Sequence, residues 1–218
     1  MNNKAIIFDM DGVIFDTERV YMNIWIEVYT KYGYKMNREI YTTFIGRDRN
    51  SITKMLYNLY GESFEAKKIF EECDRKLKEA IDNGKVPVKE GALELFDFLK
   101  LKGYKMALAT SSPKEKLEMQ LKIHNLQDVF DCIICADDVK ESKPNPEIFL
   151  CSARKLNADV EECIVIEDSP AGIEAAYNAG ISAFHVEDLV KANDNIINHS
   201  SKQFKDLLEV KKFIESFL

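Results

Sequence analysis

Five short apolar runs, KAIIFD, YKMALAT, FDCIICA, ECIVIED and ISAFHV, recur along the chain with helix-like segments between them, near 91–102, 114–124, 146–156 and 171–180. Continuous apolar runs of this length suit strands buried on both faces, as in a parallel sheet covered by helices on either side. The alternation breaks once. From about residue 16 to residue 85 no strand pattern occurs, only amphipathic helical segments at roughly 17–33, 37–45, 50–60 and 64–82. A structureless connection of that length is implausible inside a compact domain. The predicted architecture is α/β: a doubly wound, Rossmann-like parallel-sheet core formed by residues 1–15 and 86–218, with an all-helical cap domain, residues 16–85, inserted after the first strand.

Turn chemistry supports the helices. Ser112 is expected to cap one, with Pro113 in its first position and Glu115 in its third, a capping-box arrangement; Asn145 and Ser169 start two more. A last helix at about 204–217 is expected to pack against the sheet edge.

The net charge of −7 argues against a broad nucleic-acid footprint, although an acidic chain can still hold a small cationic pocket. No apolar segment approaches a membrane span, and the opening MNNKAIIFDMDG lacks the pattern of a signal peptide. The cytoplasm is the expected location, with neither nucleic acid nor membrane as a partner. A monomer is the expected state, compatible with a cap that moves. The five cysteines are scattered. Cys132 and Cys135 form C-x-x-C around two isoleucines and read as small apolar residues of a buried strand rather than a redox or zinc pair. His124, His185 and His199 have no serine or cysteine beside them in a nucleophile context.

Function is read from the strand ends, because open parallel sheets bind ligands beyond the carboxyl ends of their strands. The first strand delivers Asp9 and Asp11, followed by Gly12; the second Thr110 and Ser111; Lys143 follows the third; the fourth delivers Glu167 and Asp168. Asp and Gly also simply end strands, but two carboxylates this close repel unless something positive lies between them. Carboxylates, a hydroxyl and an ammonium together suit a phosphate site with a hard cation. Mg²⁺ takes oxygen ligands and keeps phosphate oxygens in its shell. With the charge neutralised by metal and lysine, one carboxylate can attack phosphorus to give an aspartyl-phosphate. The other can protonate the leaving alcohol and then deprotonate water.

These residues carry a resemblance to the haloacid dehalogenase superfamily, in its β-phosphoglucomutase and phosphoglycolate-phosphatase-like branch. DMDGVIFDT resembles the family's first motif, ATSS the second, SKPNPEIF the third and IEDSPAGIEAAYNAG the fourth, so the likeness spans nearly the whole chain. It implies Asp9 as nucleophile and Asp11 as general acid/base, with phosphate bound by Thr110, Ser111 and Lys143. It also implies Mg²⁺ held by Asp9, by the Asp11 carbonyl, and by Glu167 and Asp168. Asp16 is expected to stabilise the turn into the cap. In the cap, Trp25, Gly46, Arg47 and Arg49 fall where the mutases hold substrate.

Asp11 separates the branches, since the members that cleave carbon–halogen bonds lack it. Phosphonatases use a cap lysine, and although Lys54 is nearby no matching motif surrounds it. Mutases place a histidine in the first cap helix where this chain has Tyr21. The reading is therefore a phosphatase of a small phosphorylated metabolite, a sugar or sugar-alcohol phosphate, whose cap closes over the site. A sugar-phosphate mutase is the alternative, and a phosphate-binding regulatory module without turnover is the second.

Overall fold

The computed structural model describes residues 5–45, 47, 49–189 and 191–216. Its strands are β1 (Ala5–Phe8), β2 (Lys105–Ala109), β3 (Cys132–Ile134), β4 (Cys163–Glu167), β5 (Ser182–Val186) and β6 (Lys202–Phe204). They form one parallel sheet in the order β3-β2-β1-β4-β5-β6. Ile7 lies opposite Ala107 on one side and Val165 on the other, so β1 is central. Every residue of β1 and β4 is buried, as expected for continuous apolar runs.

Two compact units make up the chain: one holds everything up to Asp16 and from Pro87 onward, the other is Thr17–Val86. The second contains α1 (Thr17–Lys31), α2 (Arg38–Thr42), α3 (Arg49–Tyr60) and α4 (Ala66–Asp82). Its core is aromatic. Trp25 of α1 stacks on Tyr29 at 5.3 Å and meets Tyr41, Phe44 and Phe70 at 5.4–5.8 Å. Lys31–Glu72 and Glu27–Lys76 ion pairs tie α1 to α4 along the solvent edge.

The first unit covers its sheet with α5 (Ala92–Leu101), α6 (Lys114–Ile123), α7 (Glu147–Leu156), α8 (Pro170–Asn178), α9 (Asp194–His199) and α10 (Leu207–Glu215). Side chains alternate along the strands. Ile7, Val165 and Ala183 share one buried cluster with Ile148 and Phe149 of α7, Ile173 of α8 and Ile196 of α9. On the opposite face Phe8 meets Phe96 of α5, and Phe184 meets Phe213 of α10. The insertion leaves and returns at a pinned point: the Asp16 amide donates to the Pro87 carbonyl at 3.0 Å and the Lys89 amide to that of Ile14 at 2.8 Å.

Some local expectations change. β6 is a sixth, three-residue strand that polar Lys202 and Gln203 conceal from a hydrophobic scan. Phe204 belongs to it, so the last helix starts only at Leu207, where Asp206 accepts the Glu209 amide at 2.9 Å. Ser112 and Asn145 are not the N-caps. α6 starts at Lys114 after Pro113, and α7 at Glu147 after Pro146, with the Asn145 side chain accepting the Glu147 amide. Ser169 does cap α8, accepting from the Gly172 amide at 3.1 Å.

Candidate active site

Strand order reverses between β1 and β4: from β1 the chain winds outward to β2 and β3, then returns to lay β4 on the other side. Such a switch point opens a crevice beyond the carboxyl ends of its two strands. Asp9 follows β1 there and donates its amide to the Ile166 carbonyl at 3.0 Å, fastening it to β4, which ends in Glu167 and is followed by Asp168. The chain then turns through Gly12, whose φ of +84° suits glycine; a Cβ at this residue would lie 2.3 Å from an Asp168 carboxylate oxygen. Gly172 serves Glu167 likewise, since a Cβ there would fall 1.8 Å from its Oε1.

Lys143 enters from the loop after β3. Its Nζ lies 2.5 Å from Asp9 Oδ1, 2.9 Å from Glu167 Oε1 and 3.3 Å from the Ala109 carbonyl. Glu167 Oε2 accepts the Ser169 amide at 2.5 Å. Thr110 is buried at the end of β2, its Oγ1 accepting the Ser112 amide at 3.0 Å, while the Ser111 side chain is exposed. Asp11 is met by Ser112, two residues before α6, and by Lys116 in its first turn. The Ser112 hydroxyl donates to Oδ2 at 2.7 Å, and Lys116 Nζ sits 2.9 Å from both carboxylate oxygens.

Ligand oxygens of Asp9, Glu167 and Asp168 lie within 4.8 Å of one another. Burial, Glu167 and Asp11 push the Asp9 carboxyl up to about 7 against the opposing pull of Lys143. Asp168 is raised well above the carboxylate range by burial, then by Glu167, Asp9 and Asp188. Lys143 is held above its ordinary value by Asp9 and Glu167, which outweigh its burial. Lys89 pairs at 2.7 Å with Asp188, whose side chain is only 5% exposed, and both act electrostatically on Asp168. Among the described residues, five carboxylates (Asp9, Asp11, Glu167, Asp168 and Asp188) thus face three ammonium groups (Lys89, Lys116 and Lys143). With all five ionised, two negative charges are left over, and these and the all-oxygen donor set fit one hard divalent cation.

The helical unit has a pocket of its own, about 230 Å³, lined by Glu18, Tyr21, Trp25, Tyr41, Arg47 and Arg49 among others. Trp25, Arg47 and Arg49 therefore share one wall system, whereas Gly46 lies outside the described residues. Arg49 is already engaged, with one nitrogen 2.9 and 3.0 Å from the two Asp74 oxygens and its guanidinium over Phe70. The Tyr21 hydroxyl donates to the same carboxylate, and burial with Asp74 holds its phenol well above the ordinary range. Arg47 donates to the Thr43 carbonyl.

The core geometry brings Asp9, Glu167, Asp168 and Lys143 together and puts Thr110 at the end of the neighbouring strand. Ser112 and Lys116 are additions to the residues singled out from the sequence. Ser112 reads there as a helix cap, and the clue to the pair is its spacing: four residues apart across a helix start, the two side chains share a face. Lys89 and Asp188, 99 residues apart, carry no local signal at all.

Comparison with known proteins identifies the family. The profile of the haloacid dehalogenase-like hydrolase family matches residues 6–186. The phosphorylated carbohydrates phosphatase of Thermotoga maritima is 34% identical over 84% of this chain and 84% of its own. The fructose-1-phosphate phosphatase of Escherichia coli is 31% identical over 84% of this chain and 95% of its own. Among solved structures, a β-phosphoglucomutase from Clostridium difficile superposes with a TM-score of 0.69 at 28% identity, covering 98% of this chain and 96% of that one. With a family profile that spans most of its length and a relative 34% identical over 84% of it, the chain belongs to the haloacid dehalogenase-like hydrolases.

Proposed function

We propose that this chain is a Mg²⁺-dependent phosphatase of small phosphorylated metabolites, sugar or sugar-alcohol phosphates, working through an aspartyl-phosphate on Asp9. The observation that carries the reading is the meeting of Asp9, Lys143, Glu167 and Asp168 at the switch point, with Asp11 two residues from Asp9. An Asp9 oxygen attacks phosphorus and the ester P–O bond breaks. The leaving oxygen keeps the electron pair and takes a proton from Asp11. Water then gives a proton to Asp11 as it attacks phosphorus, the Asp9–phosphorus bond breaks, and the Asp9 carboxylate is restored. Lys143 neutralises Asp9 and the phosphate oxygens, and the Thr110 hydroxyl donates to phosphate. Asp9, the Asp11 carbonyl, Glu167 and Asp168 would hold the cation, which when bound supplies Lewis-acid polarisation of the phosphate.

Substrate selection we ascribe to the pocket of the helical unit. Arg49 is already balanced by Asp74, and the rest of the lining sets the Glu18 carboxylate against the Arg47 guanidinium among Trp25, Tyr41 and Phe44, which suits an uncharged, hydroxyl-rich group better than a second phosphate. Hydrolysis is favoured over mutase chemistry because Tyr21, with its raised phenol, cannot exchange protons near neutrality as a histidine would. The relatives named as carbohydrate phosphatases point the same way.

The test is phosphate release from a panel of sugar, polyol and nucleotide phosphates, with Mg²⁺ or with chelator, and with Asp9→Asn as control. Metal-dependent release that Asp9→Asn abolishes is expected, strongest for monophosphates of neutral polyols. Absence of release across the panel would overturn the phosphatase, and conversion of β-glucose 1-phosphate to glucose 6-phosphate would establish the mutase instead.

A further inference from the structure

We propose that Lys116 is a positioning residue for the Asp11 carboxylate, a role that rests on the reading of Asp11 as general acid/base. Three contacts close on one another: Lys116 Nζ to both Asp11 oxygens at 2.9 Å, Ser112 Oγ to Asp11 Oδ2 at 2.7 Å, and Lys116 Nζ to Ser112 Oγ at 3.0 Å. The residues that hold Asp11 stand 101 and 105 positions away in sequence, so the fold builds this arrangement and no local turn imposes it.

Asp11 needs such an arrangement. It lies just beyond β1 in an isolated bridge with Phe15, which sets its backbone but does not by itself set the plane of its carboxylate. A group that must hand a proton to the leaving oxygen and later take one from water needs one orientation for both steps. A displacement of about 1 Å in a reacting group can cost on the order of a hundredfold in rate. One ammonium bridging both oxygens, with a hydroxyl on one of them, fixes the plane of the carboxylate as well as its place.

Energy alone would not justify the pair. Lys116 and Asp11 are each 24% exposed in their side chains, and a partly solvated ion pair contributes little to stability. Nor is Lys116 the cation that balances the nucleophile: Lys143 occupies that place, against Asp9 and Glu167. Its position on α6, one turn beyond Ser112, leaves the orientation of Asp11 as its task.

The experiment compares Lys116→Met, Lys116→Arg and wild type by kcat/KM on two esters: a sugar phosphate from the panel, and p-nitrophenyl phosphate. kcat/KM reports the first P–O cleavage. The nitrophenolate leaves without a proton, so only the sugar ester needs a well-aimed Asp11. Lys116→Met is expected to lower kcat/KM for the sugar ester by about 10- to 100-fold and for the aryl ester by no more than about threefold. Lys116→Arg should recover most of the difference. Equal losses on the two esters would overturn the proposal and make Lys116 a phosphate-binding or merely structural residue, which a melting curve would tell apart. No loss on either ester would also overturn it. Wild-type protein inactive on both esters would overturn the phosphatase itself, and this role with it.

Discussion

Asp9 shows how one buried group couples protonation, metal and stability. Its carboxyl is pushed from 3.8 up to about 7, first by burial, with Glu167 and Asp11 adding to the rise. A carboxyl raised on folding favours the folded state fully below its unfolded value, and that contribution is lost as pH rises through about 7. The metal-free protein should therefore melt lower as pH rises from about 5 to 8, and Asp9→Asn should flatten the decline. A metal ligand must be deprotonated, so calorimetry should find Mg²⁺ bound about tenfold more tightly at about pH 8 than at about pH 6. Gly172 gives a steric counterpart. A methyl group there would overlap Glu167 Oε1, so Gly172→Ala should destabilise the protein by about 1–3 kcal/mol and weaken Mg²⁺ binding, read by denaturant unfolding and calorimetry together.

At the scale of elements, α8 shows backbone and side chain of one residue doing separate tasks. Ser169 Oγ caps the helix through the Gly172 amide, while the Ser169 amide donates to Glu167. Ser169→Ala removes only the cap. It should cost about 1 kcal/mol in denaturant unfolding yet leave Mg²⁺ affinity within about threefold of wild type. A larger loss of affinity would mean that the hydroxyl, and not only the amide, supports Glu167. At α6 the corresponding serine is diverted. Ser112 has the local chemistry of a cap, but its hydroxyl donates to Asp11, and the helix starts after Pro113 without a side-chain cap. A long-range carboxylate outcompetes a local amide because a charge-assisted hydrogen bond is the stronger.

For the whole molecule, the insertion is the organising feature. Its two ends are held together by the Asp16–Pro87 and Ile14–Lys89 backbone bonds, so a short glycine linker in place of Thr17–Val86 would bridge almost no distance. Such a deletion should keep a cooperative thermal transition and the circular dichroism of an α/β sheet; its collapse would mean that the core needs the helical unit to fold. Among the described residues no helix is long and apolar enough to cross a membrane. The parallel sheet, the helical insertion and the residues at the strand ends were legible in the sequence, because buried strands leave continuous apolar runs and ligands collect where such strands stop. β6 was hidden, since a short edge strand beside solvent needs no apolar run. Sequence alone also determined which carboxylates, hydroxyl and lysine could meet. Only the tertiary structure decided that Ser112 and Lys116 hold Asp11, that Lys89 and Asp188 stand behind Asp168, and that Asp74 balances Arg49. Those pairings join side chains 20 to 105 positions apart, where charge and hydrogen bonding act through space and leave no periodicity along the chain.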